Sequence, residues 1–109
     1  MNPFGITDLS FELMMNSFLN YPEIEEVIIF GSRAKGNPKR GSDIDLAIKG
    51  EACSQRTAFD LNGHLNEELP IPYYFDVVNY NELSNLSLKE HIDRVGKVLY
   101  KVGDKINND

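Results

Sequence analysis

Apolar and polar residues recur with two different periods along the chain, and these periods predict three helices and four strands. The predicted helices have apolar faces made of Phe11, Met14, Met15, Phe18 and Leu19, then Ala58, Leu61, Leu65 and Leu69, then Leu88, Ile92 and Val95. The predicted strands are 27–30, 43–49, 73–80 and 97–102. A chain of 109 residues can bury these side chains in one modest core, which predicts a single domain, 1–109.

Capping and breaking residues mark where the predicted helices begin and end. Thr7 or Asp8 can cap the first helix, and Ser54 can cap the second. The run Ser87-Leu88-Lys89-Glu90 matches a capping box, which predicts that the third helix starts there. Tyr21-Pro22 is expected to end the first helix.

Two segments leave alternatives open. Asn62-Gly63 is a turn signal inside the second predicted helix, which could be kinked or split there. Gly96 is expected to stop the third helix, and the alternation of 97–102 then predicts a short edge strand flanked by lysines. A helix that continues to residue 101 is the competing interpretation.

The stretch 30–46, with the sequence FGSRAKGNPKRGSDIDL, joins the first two predicted strands and contains two neighbouring carboxylates. Because strand side chains alternate, Asp43 and Asp45 lie on one face while Ile44 lies on the other. Two like charges side by side are costly unless a cation lies between them, and hard cations such as Mg²⁺ take oxygen ligands. Since the Gly31-Ser32 turn offers donors for phosphate, the stretch indicates a metal-dependent nucleotide site.

The loop 33–40 is basic in a chain whose net charge is -6. The acidic total argues against broad binding to nucleic acids or membrane surfaces, which requires a basic face. The local reversal of sign suggests that the loop meets small anionic groups, and a solvated loop is the alternative. Its cations are Arg33, Lys35, Lys39 and Arg40.

An acidic residue interrupts the third predicted strand, YYFDVVNY. Phe75 and Val77 point to one face of this strand, and Asp76 points to the other. A carboxylate in the middle of an apolar strand requires a reason. Asp76 either completes the aspartate pair as a third carboxylate or forms an ion pair with a loop arginine.

Cysteine content and hydropathy indicate the cellular setting. Cys53 is the only cysteine, which excludes an intrachain disulfide and favours a reducing compartment. The amino terminus lacks a basic region followed by an apolar one, and no apolar run approaches the length of a membrane span. We expect a cytoplasmic protein with a frayed polar tail at 103–109.

These residues resemble a known family, the minimal nucleotidyltransferases (MNT) of the DNA polymerase β-like superfamily. The family signature is a strand followed by Gly-Ser, a loop, Asp-x-Asp on the next strand and an Asp on a later strand. Gly31-Ser32, Asp43-Ile44-Asp45 and Asp76 match this signature in order. The resemblance extends over roughly residues 24–101, which is far more specific than an isolated Asp-x-Asp.

The resemblance implies an α/β (α+β) fold in which a small mixed sheet is backed by helices. It also implies that Gly31 and Ser32 hold the triphosphate of ATP and that aspartates hold two Mg²⁺ ions. The implied metal ligands and catalytic residues are Asp43, Asp45 and Asp76. Asp76 would also help to deprotonate an acceptor hydroxyl. Among the loop cations, Arg33 is the one that we favour as an additional contact to the phosphates.

Members of the family are commonly paired with a HEPN-domain RNase toxin. The resemblance therefore implies an antitoxin that transfers AMP from ATP to a tyrosine hydroxyl of that partner, with release of pyrophosphate. Two alternatives stay open: nucleotidyl transfer to a small hydroxyl compound, as in aminoglycoside-modifying relatives, and a non-enzymatic nucleotide-binding antitoxin. The base of the nucleotide and the assembly state, as a homo- or hetero-oligomer, are also open.

Overall fold

Four strands form one mixed sheet in the computed structural model, which describes residues 2–36 and 41–102. The strands are β1 (Glu26–Phe30), β2 (Ile44–Lys49), β3 (Phe75–Asn79) and β4 (Lys97–Lys101), and the helices are α1 (Asp8–Phe18), α2 (Gln55–Gly63) and α3 (Leu86–Val95). In the spatial order β3-β2-β1-β4, β1 pairs antiparallel with β2 and β4, and β2 pairs parallel with β3. This architecture confirms the expected α/β fold. Lys39, Arg40 and the predicted tail 103–109 lie outside the described residues.

Alternation along the strands sends apolar side chains to both faces of the sheet. On one face, Leu46 of β2 belongs to a core that also contains Met14 of α1 and Leu61 of α2. On the other face, Ala47 of β2 packs in a smaller core with Ile92 of α3. The sheet is therefore covered by helices on both faces, which explains the unbroken apolar run in β1.

The first two helices begin where their capping residues predict. Thr7 caps α1, and Ser54 caps α2 through a reciprocal capping box with Thr57. α1 ends at Phe18, before the predicted stop at Tyr21-Pro22, because the amides that follow bond three positions back in a tighter turn. Within the described part of the chain, no helix has the length and apolar character needed to cross a membrane.

The start predicted for the third helix is wrong by two residues. The predicted capping residue is Ser87, whereas α3 begins at Leu86 and its capping residue is Asn85. The side-chain oxygen of Asn85 accepts a hydrogen bond of 3.1 Å from the backbone N–H of Leu88. Asparagine caps helices as well as serine does, and here its position one turn before Leu88 decides the start.

The turn signal Asn62-Gly63 does not interrupt the second helix. α2 passes directly into one π-helical turn, His64–Glu68. Because a π turn accommodates an extra residue, it changes the direction of the side chains that follow it without ending the helix. Leu69, predicted as the last residue of the apolar helical face, lies in extended backbone after this turn.

Side-chain amides from this helical segment cover the outer edge of β3. Asn66 forms two hydrogen bonds with the backbone of Phe75, accepting from its N–H at 2.7 Å and donating to its carbonyl at 2.9 Å. Asn62 accepts a hydrogen bond of 3.0 Å from the N–H of Val77. The two amides take the place of a neighbouring strand, so that this edge of the sheet is not open for pairing.

The segment 97–101 is a strand, which confirms the edge-strand prediction over the helical alternative. Gly96 caps the end of α3 and allows the close approach of the chain to β1. A Cβ at this position would lie 2.6 Å from Cγ2 of Ile28 and 2.5 Å from the carbonyl oxygen of Ile92. Glycine is therefore needed where the chain leaves the helix and joins the sheet.

Candidate active site

Parallel pairing of β2 and β3 brings two of the predicted aspartates side by side. Asp45 and Asp76 are direct partners in this ladder, and Asp45 lies opposite Phe30 in the antiparallel pairing with β1. Asp76 is exposed and Asp45 is half-buried. Neither belongs to a hydrophobic core, since the strand residues next to them, such as Leu46 and Phe75, fill those positions. The structure thus brings together two carboxylates that are separated by 31 positions in sequence.

The third aspartate lies at the entrance to β2. Asp43 directly precedes the strand and is exposed, while Ile44 beside it is fully buried. The N–H of Ile44 donates a hydrogen bond of 2.8 Å to the carbonyl of Tyr74, which joins the start of β2 to the segment that leads into β3. This bond fixes the start of the strand whose side chains alternate between the carboxylate face and the core.

The ionisation of Asp45 is affected by burial and by its two acidic neighbours. The pKa of Asp45 is raised from 3.8 to about 6, mainly by burial and then by the charges of Asp76 and Asp43, while Arg33 opposes the shift. A carboxylate whose ionisation is opposed by two neighbouring carboxylates is a suitable place for a cation, which would remove the repulsion.

The backbone of the Gly31-Ser32 turn lies directly against Asp45. Gly31 has a φ of +77°, and a Cβ on it would lie 2.3 Å from Oδ2 of Asp45. Only glycine allows both this conformation and this approach. Ser32 and Lys35 are exposed beyond the turn, and the N–H of Lys35 bonds back to the carbonyl of Gly31 at 3.3 Å. The site thus has a narrow backbone cradle next to a carboxylate.

Arg33 points away from solvent and is 2% exposed. Its guanidinium donates hydrogen bonds to the backbone carbonyls of Ser42, Phe4 and Gly5. It also lies over the ring of Tyr73, with 4.8 Å between Cζ and the ring centroid. The role expected from the sequence, a phosphate contact, stays a prediction, and the donors of Arg33 are already engaged by the protein.

No described residue forms an ion pair with Asp76. The salt bridges among the described residues are Arg56–Asp60, His64–Glu68 and Arg94–Glu90. Arg33 bonds to carbonyl groups instead, and the second arginine of the loop, Arg40, lies outside the described residues. Asp76 is thus an exposed carboxylate that lies beside the carboxylate of Asp45.

The carboxylates of this site suit a Mg²⁺ ion that is already bound to a nucleotide better than they suit an ion held by protein ligands alone. Among residues 2–36 and 41–102, no three His, Cys, Asp or Glu side chains close into a metal-binding group. Mg²⁺ keeps several waters and commonly uses one or two carboxylates together with substrate phosphates. Asp45 and Asp76, with the cradle at Gly31 beside them, provide such a partial set.

A cavity of about 350 Å³ lies between α2 and the outer side of β3. Its wall includes Asp76, so the cavity adjoins the carboxylates on the side away from Gly31. The remaining lining residues are Gln55, Ala58, Phe59, Asn62 and Val77. Phe59 is 75% exposed although it is aromatic, which is unusual for a residue that serves only the core.

Sequence reasoning missed the residues that organise the surroundings of the carboxylates. Asn62 and Asn66 form hydrogen bonds with the backbone of β3, and the ring of Tyr73 stacks against the guanidinium of Arg33. The spacing of the two asparagines, four positions apart on one helix face, is a signal that could have identified the pair. Tyr73 carries no such signal, because its partner is 40 positions away.

The family model described as "Polymerase beta, Nucleotidyltransferase" matches residues 12–105. The chain belongs to this nucleotidyltransferase family. The match covers β1, the Gly31-Ser32 turn, β2 and β3, and so includes every element of the site. No curated protein matches the chain by sequence.

Several solved structures with the same fold are toxin–antitoxin complexes. A mutant of the toxin–antitoxin MntA-HpeT has a TM-score of 0.69 at 18% identity, over 90% of this chain and 78% of that chain. A toxin–antitoxin with AMP-PNP has a TM-score of 0.68 at 20% identity, over 94% and 80%. A tri-AMPylated HEPN toxin of Shewanella oneidensis in complex with an MNT antitoxin has a TM-score of 0.64 at 19% identity, over 92% and 76%. At these identities the likeness shows the fold.

Proposed function

We propose that this nucleotidyltransferase transfers AMP from Mg²⁺-bound ATP to a tyrosine hydroxyl of a HEPN-domain toxin and acts as its antitoxin. The observation that carries the proposal is the pairing of Asp45 with Asp76 across the parallel ladder, directly beside the glycine turn. A carboxylate pair next to an open backbone cradle suits a triphosphate and its metal. Pyrophosphate would be the leaving group.

The residues of the turn and of β2 hold the donor nucleotide in this proposal. The backbone at Gly31 and Ser32 admits phosphate oxygens, because the absence of a side chain at Gly31 leaves room for close approach. Asp45 and its ladder partner Asp76, with Asp43 at the entrance to β2, would hold the bound Mg²⁺, which supplies charge neutralisation on the phosphates. Lys35 is exposed near the turn and is available to the outer phosphates. Arg33 is buried, and its donors are engaged by backbone carbonyls.

Asp76 acts on the acceptor side. It lies on β3, and the glycine turn follows β1, so the two flank Asp45 from opposite directions in the sheet. In-line displacement requires the attacking and leaving groups on opposite sides of the α-phosphorus. Asp76 is thus suited to accept the proton of the attacking hydroxyl, and positioning of the two substrates supplies most of the rate enhancement.

The cavity beside Asp76 suits an aromatic hydroxyl as acceptor. Ala58, Phe59 and Val77 give it apolar walls that can pack against a phenol ring. Its volume of about 350 Å³ lies at the small end of ligand pockets, which suits one side chain better than a large free compound. Asn62 uses its carbonyl oxygen on the backbone of Val77, which leaves its amide N–H₂ to face a ligand.

Similarity of fold supports the identity of the partner. The three solved structures compared above are toxin–antitoxin complexes, one with AMP-PNP and one with a tri-AMPylated HEPN toxin. The match covers 76% to 80% of the length of these similar chains, and this shared fold supports a partner that brings the acceptor hydroxyl.

Incubation with ATP, Mg²⁺ and the cognate HEPN protein tests the proposal. Intact-mass measurement is expected to show the addition of AMP to the HEPN protein, and peptide mapping is expected to place it on tyrosine. Asp45→Asn and Asp76→Asn are expected to abolish the addition. Persistence of AMP transfer in either variant would contradict the assignment of the carboxylates, and modification of small hydroxyl compounds alone would contradict the assignment of the acceptor.

A further inference from the structure

We propose that Arg33 is a positioning residue that sets the phosphate turn, the start of β2 and the approach to β3 relative to one another, and that it contacts no phosphate. This proposal deepens the proposed function, on which its kinetic part rests. It differs from the expectation based on sequence, in which a cation directly after the Gly-Ser turn serves the nucleotide.

The strongest contact of Arg33 is with the residue before Asp43. Nε and Nη2 both donate to the carbonyl oxygen of Ser42, at 3.0 and 2.6 Å. Because Ser42 is covalently joined to Asp43, this pair of bonds fixes the backbone from which the first carboxylate projects. One side chain thus joins the two ends of the loop, although Arg33 and Ser42 are nine positions apart in sequence.

The remaining amino group binds the segment before α1. Nη1 donates to the carbonyl oxygens of Phe4 and Gly5, at 2.9 and 3.1 Å. With these bonds, all three guanidinium nitrogens have backbone acceptors, and the side chain is 2% exposed. A phosphate could reach the group only if protein hydrogen bonds broke, which is costly for a buried charge.

The flat face of the guanidinium contacts the segment that leads into β3, the strand of Asp76. It lies over the ring of Tyr73 at 4.8 Å, and Tyr73 is three positions before Asp76. The adjacent carbonyl of Tyr74 accepts the N–H of Ile44 at the start of β2. The side chain of Arg33 therefore contacts the segments that lead into β2 and into β3, the two strands that contain Asp45 and Asp76. In sequence, Arg33 directly follows the Gly31-Ser32 turn, which faces Asp45.

The planar fork of arginine is necessary for this arrangement. It presents donors in one plane to three backbone carbonyls, those of Ser42, Phe4 and Gly5, while its face stacks on an aromatic ring. A lysine ammonium is a point charge that cannot bracket the Ser42 carbonyl with two donors and also stack on Tyr73. We therefore expect that Arg33→Lys keeps the charge but does not rescue the function.

Arg33→Lys and Arg33→Met are the test variants, with Arg56→Lys as the matched control. Arg56 is an exposed arginine on α2 whose bonds go to Asp60. In the apo protein, we expect hydrogen exchange of the Ile44 amide to rise about tenfold in both Arg33 variants, while amides of α2 remain unchanged. For AMP transfer, we expect kcat to fall by about a hundredfold and the KM for ATP to change less than threefold, because displacement of reacting groups by about 1 Å has effects of this size.

The outcomes separate the proposal from its alternatives. A KM for ATP that rises tenfold with kcat retained would identify Arg33 as a phosphate ligand and overturn the proposal. Unchanged exchange at Ile44 would overturn it as well. If the Arg33 variants do not fold, Tyr73→Leu is expected to raise exchange at Ile44 and to lower kcat, as the Arg33 variants do. Tyr73→Phe is its control, because it keeps the stacked ring and removes only the hydroxyl that accepts a hydrogen bond from the N–H of Thr7. A wild-type protein without AMP transfer would refute the proposed function, whereas the exchange measurement would still decide whether Arg33 sets the start of β2.

Discussion

Substitution of Gly31 by alanine tests the contact between the phosphate turn and the carboxylates, and the chain offers a close control for it. Gly31 and Gly36 have the same φ of +77°, so alanine at either position has the same backbone penalty, about 1–2 kcal/mol. At Gly31 the added Cβ would lie 2.3 Å from Oδ2 of Asp45, whereas at Gly36 it would meet no atom of the described residues within 4 Å. The contact with the carboxylate of Asp45 therefore distinguishes the two variants.

The size of that displacement sets the expected effect. A Cβ and an oxygen need a separation of at least about 3 Å, so the carboxylate of Asp45 must move by at least about 0.7 Å away from Gly31. A misplacement of this size at a reacting centre costs roughly a hundredfold in rate. We expect Gly31→Ala to reduce kcat for AMP transfer by about this factor, and Gly36→Ala to leave kcat within about threefold of wild type.

Urea unfolding and steady-state transfer kinetics on the same preparations provide the assay. The free energy of unfolding is expected to fall by a similar amount, about 1–2 kcal/mol, in Gly31→Ala and Gly36→Ala, since the strain in φ is common to both. Equal losses of kcat in the two variants would refute the reasoning, because the effect would then follow backbone strain and not the contact with Asp45. Full activity of Gly31→Ala would refute it too.

Three further predictions concern the carboxylates, the cavity and the edge of the sheet. In metal-free buffer, Asp45→Asn is expected to raise the free energy of unfolding by about 1 kcal/mol at pH 7.5, a value that allows for solvent screening, and to change it little near pH 4. The reason is that the wild type loses stability as the pH rises from 3.8 through the folded-state pKa of Asp45, which is about 6. Urea unfolding measures the effect, with a variant of an exposed residue, Glu12→Gln, as the control. Phe59→Ala is expected to raise the KM for the acceptor protein about tenfold with the KM for ATP unchanged, and an equal rise in both would contradict an acceptor role of the cavity. Asn66→Ala leaves the N–H and carbonyl of Phe75 without their partner and is expected to lower the free energy of unfolding by about 1–3 kcal/mol in urea titrations; a change below about 0.5 kcal/mol would contradict the edge-covering role.

The order of helices and strands could be predicted from the sequence because local signals and tertiary packing agree there. The alternation of 43–49 gives β2 (Ile44–Lys49), and the caps Thr7 and Ser54 give two helix starts. Prediction was less accurate where two local signals compete. Asn85 and Ser87 both suit a helix start, and the geometry of the turn, which the sequence does not display, selects the first of them.

The aspartates of the candidate site could be predicted, and the environment of the loop cations could not. Asp43, Asp45 and Asp76 are conspicuous because a carboxylate in an apolar strand has few structural explanations. Arg33 is one cation among several in a polar loop, and its burial depends on carbonyls from Phe4, which is 29 positions away. Contacts of this kind depend on the folded arrangement of segments and leave no local pattern.

The most direct test of the central claim is to count the pyrophosphate released for each AMP that becomes attached to the HEPN protein, in wild type and in Asp76→Asn, at saturating Mg²⁺ and ATP. We expect one pyrophosphate per AMP in wild type, no detectable product after removal of Mg²⁺ with a chelator, and a loss of at least about a hundredfold in Asp76→Asn. Wild-type turnover in Asp76→Asn, or AMP attachment without release of pyrophosphate, would contradict the account.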